Sequence, residues 1–314
     1  MTCFRPQPGL AHPHLQTLAG AALRPCPPLK PRREWFQAPD GERLGLDFLD
    51  APGQVPTVLV LHGLSGTSSS PIVRGAMAAA HRLPARVVGM NFRGALGPPG
   101  QPRLYHAGRS DDLDLVVDHL LERFGPRLGV VGFSLGGNIL LKWLGERGQQ
   151  APPGVVGCAA CVPYNLGNCA RQLEKDAISR FYRYYMVRRL KARVASLLER
   201  FPGALEWKRV AAARTLTDFD REVTAPLNGF RDEEDYWGHC SSLFYLSRIA
   251  RRAHLINAAD DPFLAPGDLP HALVAANTNL SLEVTEQGGH LGYIGPGWRP
   301  WIERRIADFL RSCL

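Results

Sequence analysis

One serine in the sequence stands where a nucleophile is expected. Ser134 is the centre of Gly132-Phe133-Ser134-Leu135-Gly136, a G-x-S-x-G pattern. A serine on a sharp turn between a strand and a helix projects its hydroxyl outward, and the flanking glycines let the two elements approach closely. The composition of this chain would produce such a pattern by chance in about one chain in eight. A buried strand is predicted before Ser134 and a helix after it, and this context makes Ser134 the candidate nucleophile.

A serine hydroxyl needs a base, and the base needs a third group to orient it. His290 lies between glycines, directly after a predicted strand. Asp260 and Asp261 directly follow the preceding predicted strand, so both loops belong to the carboxyl edge of one sheet. Asp261 is favoured as the orienting acid because Pro262 and Phe263 make a short apolar turn after it. The alternative is that Asp260 is the acid; otherwise Asp260 caps or braces the loop.

Acyl transfer also requires donors for the negative oxygen that forms on the carbonyl carbon. The N–H group of Leu135, the residue after the nucleophile, is one candidate donor. The N–H group of Leu64, in the His62-Gly63-Leu64 segment that ends an apolar run, is the other. We expect His62 to support this loop through hydrogen bonds rather than to act as a second base.

These residues need an alternating set of strands and helices to position them. Short continuous apolar runs predict strands that are buried on both faces, and amphipathic runs between them predict helices. Such alternation indicates a mostly parallel sheet with helices on its faces. The predicted strands are 55–61, 86–91, 127–133, 155–162, 253–258 and 280–284, and the predicted helices are 72–83, 111–124, 135–144 and 298–314.

The alternation stops in the middle of the chain. Residues 163–249 carry a helical stripe that includes Leu190, Val194 and Leu197, so this segment is predicted to be a helical cap inserted into the α/β core. The core is then 34–162 and 250–314. Residues 1–33 are predicted to be an extended N-terminal arm, because prolines recur between Pro6 and Pro28. The alternative for 163–249 is a continuation of the same sheet with longer helices.

Composition narrows the class of protein. The chain has 314 residues, of which 45% are hydrophobic and 21% charged, as in ordinary globular proteins. No run of 18 apolar residues occurs, and the N-terminus lacks the pattern of a secretory signal. The cysteines are odd in number and irregularly spaced, which favours reduced thiols and a cytoplasmic location. Cys158 and Cys161 form a single C-x-x-C inside an apolar run, so we expect no metal site and no cofactor.

The formal net charge of +8 is unevenly distributed. Residues 180–214 contain ten basic side chains against only Glu199 and Glu206. One interpretation is a solvated helix face. The other is a patch that makes peripheral contact with an anionic membrane or an acidic substrate. Neither zinc-finger spacing nor an RNA-binding aromatic pattern accompanies the patch, so a nucleic-acid partner is not expected.

Several short motifs, in order along nearly the whole chain, resemble the YheT-like branch of α/β hydrolases, the bacterial relatives of the ABHD lipid and ester hydrolases. A set of this kind is far more specific than any one of its members. The motifs are His12-Pro13-His14-Leu15-Gln16-Thr17-Leu18, His62-Gly63-Leu64, Asn91-Phe92-Arg93-Gly94, Tyr105-His106-Ala107-Gly108, Gly132-Phe133-Ser134-Leu135-Gly136-Gly137-Asn138, Tyr236-Trp237, Asp260-Asp261-Pro262-Phe263 and Gly288-Gly289-His290-Leu291-Gly292.

The resemblance implies the α/β-hydrolase fold and a serine carboxylic ester hydrolase. The implied substrates are small acyl esters of short to medium chain length, or acylglycerols. A thioesterase or an acyltransferase would use the same three side chains, and a binding protein that has lost turnover would keep the same fold. Sequence alone does not separate these alternatives, and it leaves the oligomeric state open.

Overall fold

The computed structural model describes residues 4–175 and 177–314. Its strands are β1 (Arg32–Gln37), β2 (Arg43–Leu49), β3 (Thr57–Leu61), β4 (Arg86–Asn91), β5 (Leu128–Phe133), β6 (Val155–Ala160), β7 (Ala253–Ala258), β8 (Leu280–Thr285), β9 (Ile294–Gly295) and β10 (Arg299–Pro300). Its α-helices are α1 (Pro13–Ala22), α2 (Pro71–His81), α3 (Ser110–Phe124), α4 (Leu135–Arg147), α5 (Leu166–Gln172), α6 (Ala177–Arg200), α7 (Trp207–Ala212), α8 (Leu216–Phe219), α9 (Ala225–Asn228), α10 (Glu233–Cys240), α11 (His271–Ala275) and α12 (Ile302–Arg311).

Eight of these strands form one sheet in the order β1-β2-β4-β3-β5-β6-β7-β8. The pairs β1–β2 and β2–β4 are antiparallel, and the remaining five pairs are parallel. The strands from β3 to β8 therefore end at the same edge. The loops that follow β3, β5, β7 and β8 carry the residues selected from the sequence.

The central parallel strands are mostly apolar because helices cover both faces of the sheet. In β3, Leu59 and Leu61 pack in the hydrophobic cluster that includes α3 and α4. Val58 and Val60 point the other way, into the cluster that includes α2 and α12. All four side chains are fully buried. The runs that predicted the central strands thus reflect burial on two sides.

Strands β1 and β2, at the antiparallel edge of the sheet, were not predicted from the sequence. Four of the six residues of β1 are exposed, and the strand is rich in charge. In β2, Leu44, Leu46 and Phe48 alternate with other residues and are buried. That period of two is the signal that could have identified β2. The buried Asp47 between them is paired with Arg33 of β1.

The N-terminal arm is not fully extended, and that prediction was wrong. Helix α1 occupies Pro13–Ala22, with Pro13 at its start. A proline is tolerated in the first turn of a helix, where its missing N–H has no intrahelical partner. The prolines of the arm lie at or outside the ends of α1 and therefore do not interrupt it.

Residues 163–175 and 177–249 contain helices and no strand. Part of this segment has a small core of its own, in which Leu190, Val194 and Leu197 of α6 pack against Val210 and Phe219. Helices α5 and α10 instead join the main core. We propose on this basis that 163–249 is the cap, 34–162 and 250–314 the core, and 1–33 the N-terminal arm.

The last helix begins later than predicted, at Ile302, because Arg299–Pro300 pairs with Ile294–Gly295 before the helix starts. Within the described parts of the chain, none of the helices combines the length and apolar character needed to cross a bilayer.

Candidate active site

Ser134 sits on a sharp turn between β5 and α4. Its φ of 51° is unusual for a residue with a side chain, and its N–H donates to the Ala160 carbonyl at 2.9 Å. A Cβ on Gly132 would lie 2.5 Å from the Gly136 carbonyl oxygen, and one on Gly136 would lie 2.5 Å from the His62 carbonyl oxygen. The glycines of the motif therefore permit the close packing that presents the serine.

Ser134, His290 and Asp261 come together at the carboxyl edge of the sheet. His290 Nε2 lies 3.0 Å from Ser134 Oγ. His290 Nδ1 lies 2.9 Å from Asp261 Oδ2 and 3.1 Å from Oδ1. Since Nδ1 faces a carboxylate, it carries the proton, and Nε2 is free to accept the serine proton. His290 and Asp261 are buried, whereas Ser134 retains some exposure.

Asp260 takes a different position from its neighbour. Its Oδ1 accepts a hydrogen bond from the Gly289 N–H at 2.9 Å. Its Oδ2 is buried without a hydrogen-bond partner among the described residues. Burial raises the pKa of the Asp260 carboxyl. Asp260 thus contacts the loop before His290, while Asp261 contacts the imidazole itself.

The imidazole of His290 is also fixed from its face. The Phe263 ring stacks on it with a centroid distance of 3.8 Å and an interplanar angle of 4°. Tyr182 of α6 packs against Phe263 at 5.6 Å. The sequence placed Phe263 in the turn after Asp261 without assigning it a contact. Its neighbour in space lies far along the chain, so no local pattern reveals the stack.

The loop after β3 lies against the nucleophile. A Cβ on Gly63 would be 3.4 Å from the Ser134 Cβ, so the loop backbone passes beside the serine. The Leu64 and Leu135 N–H groups donate to no acceptor in the described residues. Ser65 follows with a φ of 58°. Its N–H donates to the Tyr105 hydroxyl at 2.7 Å, a support that the sequence did not reveal.

The buried side chain of His62 fixes the loop after β3 through hydrogen bonds. Its Nδ1 donates to the Gly63 carbonyl at 2.8 Å, and its Nε2 accepts from the Phe92 N–H at 3.3 Å. Complete burial lowers the pKa of His62 to about 3. The ring is therefore neutral at ordinary pH, and both of its nitrogens are engaged with the backbone. This arrangement suits the supporting role expected of His62.

A cavity and a pair of cysteines lie outside the three central residues, although Cys161 Sγ accepts from the Leu291 N–H at 3.3 Å. A cavity of about 250 Å³ is lined by Arg103, His106, Arg109 and Asn228, among others, and includes none of the three central residues. Cys158 and Cys161 are fully buried and not disulfide-bonded. Across residues 4–175 and 177–314, no group of three or more His, Cys, Asp or Glu side chains has the arrangement of a metal site.

Known proteins resemble this chain in sequence. Residues 56–295 match the family model described as alpha/beta hydrolase fold. YheT of Escherichia coli (strain K12) is 34% identical over 323 residues, which cover 99% of this chain and 94% of that protein. Phospholipase ABHD3 of Mus musculus is 29% identical, over 95% of this chain and 75% of the relative. Monoacylglycerol lipase of Saccharomyces cerevisiae is 30% identical, over 89% and 63%.

Solved structures resemble the chain at lower identity. The esterase Pf2001 of Pyrococcus furiosus superposes with a TM-score of 0.60 and 18% identity, covering 92% of this chain and 96% of that one. At this identity the likeness concerns the arrangement of the strands and helices alone.

Proposed function

This chain belongs to the α/β-hydrolase family, in the branch of YheT and the ABHD proteins, and from that membership we propose a serine carboxylic ester hydrolase. The family and the fold predicted from the sequence are thereby confirmed. Relatives named as phospholipase and monoacylglycerol lipase support ester hydrolysis in general. The roles of Ser134, His290 and Asp261, and the choice of substrate, are the proposal.

One observation carries it: the continuous contact from Ser134 Oγ through His290 to Asp261. In the first step, His290 Nε2 takes the serine proton as Oγ forms a bond to the ester carbonyl carbon. The carbonyl oxygen becomes an oxyanion. The carboxylate of Asp261 stabilises the imidazolium that results and keeps Nε2 aimed at the reacting atoms.

The oxyanion is stabilised by the two unpaired N–H groups, those of Leu64 and Leu135. Collapse of the tetrahedral intermediate breaks the ester C–O bond, and the leaving alcohol takes the proton from His290 Nε2. A water molecule then loses a proton to the same nitrogen and attacks the acyl carbon. Ser134 regains its proton from His290 as the carboxylic acid departs.

We propose esters of short- to medium-chain acids, including acylglycerols, as the substrate class. The support is the activity named for two relatives, a phospholipase and a monoacylglycerol lipase. A panel of p-nitrophenyl esters of graded chain length measures the preferred acyl length. Thioesters and added alcohol acceptors in the same panel distinguish hydrolysis from thioester cleavage and acyl transfer.

A fluorophosphonate probe tests the nucleophile directly, because it reacts covalently with activated serines. We expect the wild-type protein to be labelled and Ser134→Ala to be unlabelled. Ser69→Ala is the matched control, since Ser69 is an exposed serine of the loop after β3 and should leave labelling intact. Folded wild-type protein that resists both the probe and every ester would refute the proposal.

The cap also carries features that indicate a binding partner. Residues 180–214, the basic segment, carry ten basic and two acidic side chains, an excess that equals the net charge of +8 of the whole chain. On α6, Phe181, Tyr184 and Tyr185 are 58%, 66% and 52% exposed. Exposed aromatic rings beside cations are typical of helices that rest on lipid surfaces. We propose peripheral contact between this segment and an anionic membrane.

Sedimentation with lipid vesicles tests that contact. We expect binding to vesicles that contain phosphatidylserine and weak binding to pure phosphatidylcholine. The double variant Arg188→Glu/Arg189→Glu should weaken binding about tenfold or more, since each cation contributes about 1 kcal/mol near an anionic surface. Arg82→Glu/Arg304→Glu makes the same change of charge at exposed positions outside the segment and should bind as the wild type does. Equal binding to both vesicle types would reject the proposal.

A further inference from the structure

The loop that carries His290 has an unusual backbone conformation. Between the end of β8 and the start of β9, Gly289, Leu291 and Tyr293 have φ values of 57°, 59° and 47°. Leucine and tyrosine rarely adopt left-handed backbone, and they do so only where surrounding contacts enforce it. The contacts that surround this loop come largely from a distant part of the chain, helix α1 and the residues just after it.

Thr17 of α1 contacts the main chain of His290 itself. The His290 N–H donates to Thr17 Oγ1 at 2.9 Å. The same hydroxyl donates to the Pro13 carbonyl at 2.8 Å, so its proton points into the helix and its lone pair toward His290. The threonine is buried. It therefore fixes the backbone of His290 through a buried hydrogen bond.

Gln16 and Arg24 fix the following residues. The Gln16 amide donates to the Ile294 carbonyl at 3.1 Å and accepts from the Ile294 N–H at 3.0 Å. Arg24 Nη2 donates to the Leu291 carbonyl at 2.6 Å, and Arg24 also pairs with the buried Glu303 of α12. Gln16 is fully buried and Arg24 is 4% exposed. These side chains provide hydrogen-bond partners for the backbone of the loop, as a neighbouring strand does for the edge of a sheet.

The two backbones also touch directly. A Cβ on Gly20 would lie 2.8 Å from the Gly292 Cα, and a Cβ on Gly289 would lie 2.4 Å from the Pro13 carbonyl oxygen. Helix and loop are thus complementary in shape as well as in hydrogen bonding, and neither has room to shift toward the other.

Helix α1 reaches the imidazole by a second path. His14 lies 3.0 Å from the Tyr182 hydroxyl, and Tyr182 packs against Phe263, whose ring covers the face of His290. One end of the helix therefore contacts the cap, while its middle contacts the loop.

We propose that helix α1 is a positioning element of the active site, with Thr17 as the positioning residue that keeps His290 Nε2 at Ser134 Oγ. This inference rests on the proposed function, in which His290 is the base. It assigns a structural role to the His12–Leu18 motif, namely to fix the position of the base.

The variant Thr17→Val tests it, because valine keeps the shape of threonine and removes the acceptor. We expect kcat for a p-nitrophenyl ester to fall about 10- to 100-fold, the effect of a small misplacement of a catalytic group, with KM within about twofold. Amide hydrogen exchange in the segment 286–296 should accelerate. Thr17→Ser restores the hydroxyl and should restore both quantities. Ala21→Ser, at an exposed position of α1, is the control and should change neither.

Unchanged kcat and unchanged exchange in a folded Thr17→Val protein would overturn the proposal. Should that variant not fold, Gln16→Met serves instead, since it removes both bonds to Ile294 and leaves Thr17 in place. A folded Gln16→Met protein with wild-type kcat and exchange would overturn the proposal equally. The exchange measurement needs no turnover. A wild-type protein that the fluorophosphonate leaves unlabelled would defeat the proposed function, whereas exchange would still decide whether α1 holds the loop.

Discussion

Asp260 and Asp261 are identical side chains in consecutive positions, and the turn after β7 sends them to different targets. Asp261 accepts from the His290 imidazole and from the Phe263 N–H. Asp260 accepts from the Gly289 N–H through one oxygen only. The two aspartates should therefore differ in function although they have the same side chain and lie in the same loop.

Replacement of each carboxyl by an amide separates the two roles. Asp261→Asn can present an N–H to His290 Nδ1 and thereby favour the wrong tautomer, so kcat should fall about 10³- to 10⁴-fold. Asp260→Asn keeps an oxygen that can accept from Gly289, and kcat should stay within about tenfold of the wild type. Steady-state kinetics with one ester measure both. A larger loss in Asp260→Asn than in Asp261→Asn would reverse the assignment.

At this scale the sequence indicated the three side chains that meet at the candidate site better than the residues that surround them. Ser134, Asp261 and His290 were selected because their types and order suit one kind of chemistry, and the structure brings them into contact. Phe263 and Thr17 were not assigned contacts. Their role depends on partners that meet only in the folded chain, and neither residue type signals a contact with a histidine.

The packing between β5 and α4 sets the geometry of the nucleophile at the scale of elements. The strand and the helix meet so closely that Gly136 touches the carbonyl of His62 at the end of β3. The serine turn and the loop after β3 are thus closely packed at this point. A change of one atom there should affect stability and activity together.

Two glycine-to-alanine changes in helices should have opposite effects. Gly136→Ala places a Cβ 2.5 Å from a backbone oxygen, which nothing nearby can relieve, and should lower the free energy of unfolding by about 3 kcal/mol or more. Gly238→Ala, inside α10, meets nothing within 4 Å and should raise it by about 0.5–1 kcal/mol. Urea unfolding measures both. A Gly136→Ala protein of wild-type stability would contradict the account of this turn.

The elements that the sequence predicted well are those with strong patterns. The central strands gave continuous apolar runs, and β4 and β7 begin and end where predicted. Strand β1 gave no such run because one face of it meets solvent. Helix α1 was not predicted because the prolines around it are numerous, although none of them lies within the helix beyond its first turn.

The stability of the whole molecule should depend on pH through a carboxyl of the cap. Asp220 accepts from Trp237 Nε1 at 2.9 Å and from the Thr224 hydroxyl at 2.7 Å. Burial raises the pKa of Asp220 from 3.8 to about 6. The folded state therefore favours the protonated acid. The associated stability is full below pH 3.8 and is lost as pH rises through about 6.

Asp220→Asn has no such loss, because asparagine does not ionise. Its free energy of unfolding relative to the wild type should increase between pH 4 and pH 7 by about 1–2 kcal/mol, a value discounted for the partial solvent contact of the side chain. Unfolding by urea across this range measures the change.

Asp218→Asn should show the opposite sign and serves as the control. Burial of Asp218 is outweighed by hydrogen bonds from the Arg214 and Thr215 N–H groups, which lower the pKa of this carboxyl. Its stabilising effect is present above pH 3.8 and lost in acid. A flat difference between Asp220→Asn and the wild type would show that the Asp220 carboxyl stays ionised throughout.

At the scale of the molecule, predicted strands alternate with predicted helices and the motifs follow in order. Together they predicted one sheet with the candidate catalytic residues at its carboxyl edge. They did not reveal that the start of the chain packs behind that edge. Contacts of this kind join segments with no common pattern, so composition and periodicity give no signal of them.

The hydrogen bond between Thr17 and His290 joins residues 273 positions apart. During synthesis at 5–20 residues per second, the two are separated by roughly 15–55 s. Helix α1 is therefore synthesised well before its partner loop. With His290 as the proposed base, a nascent chain that ends before residue 290 lacks that base even when Ser134 already lies in its turn.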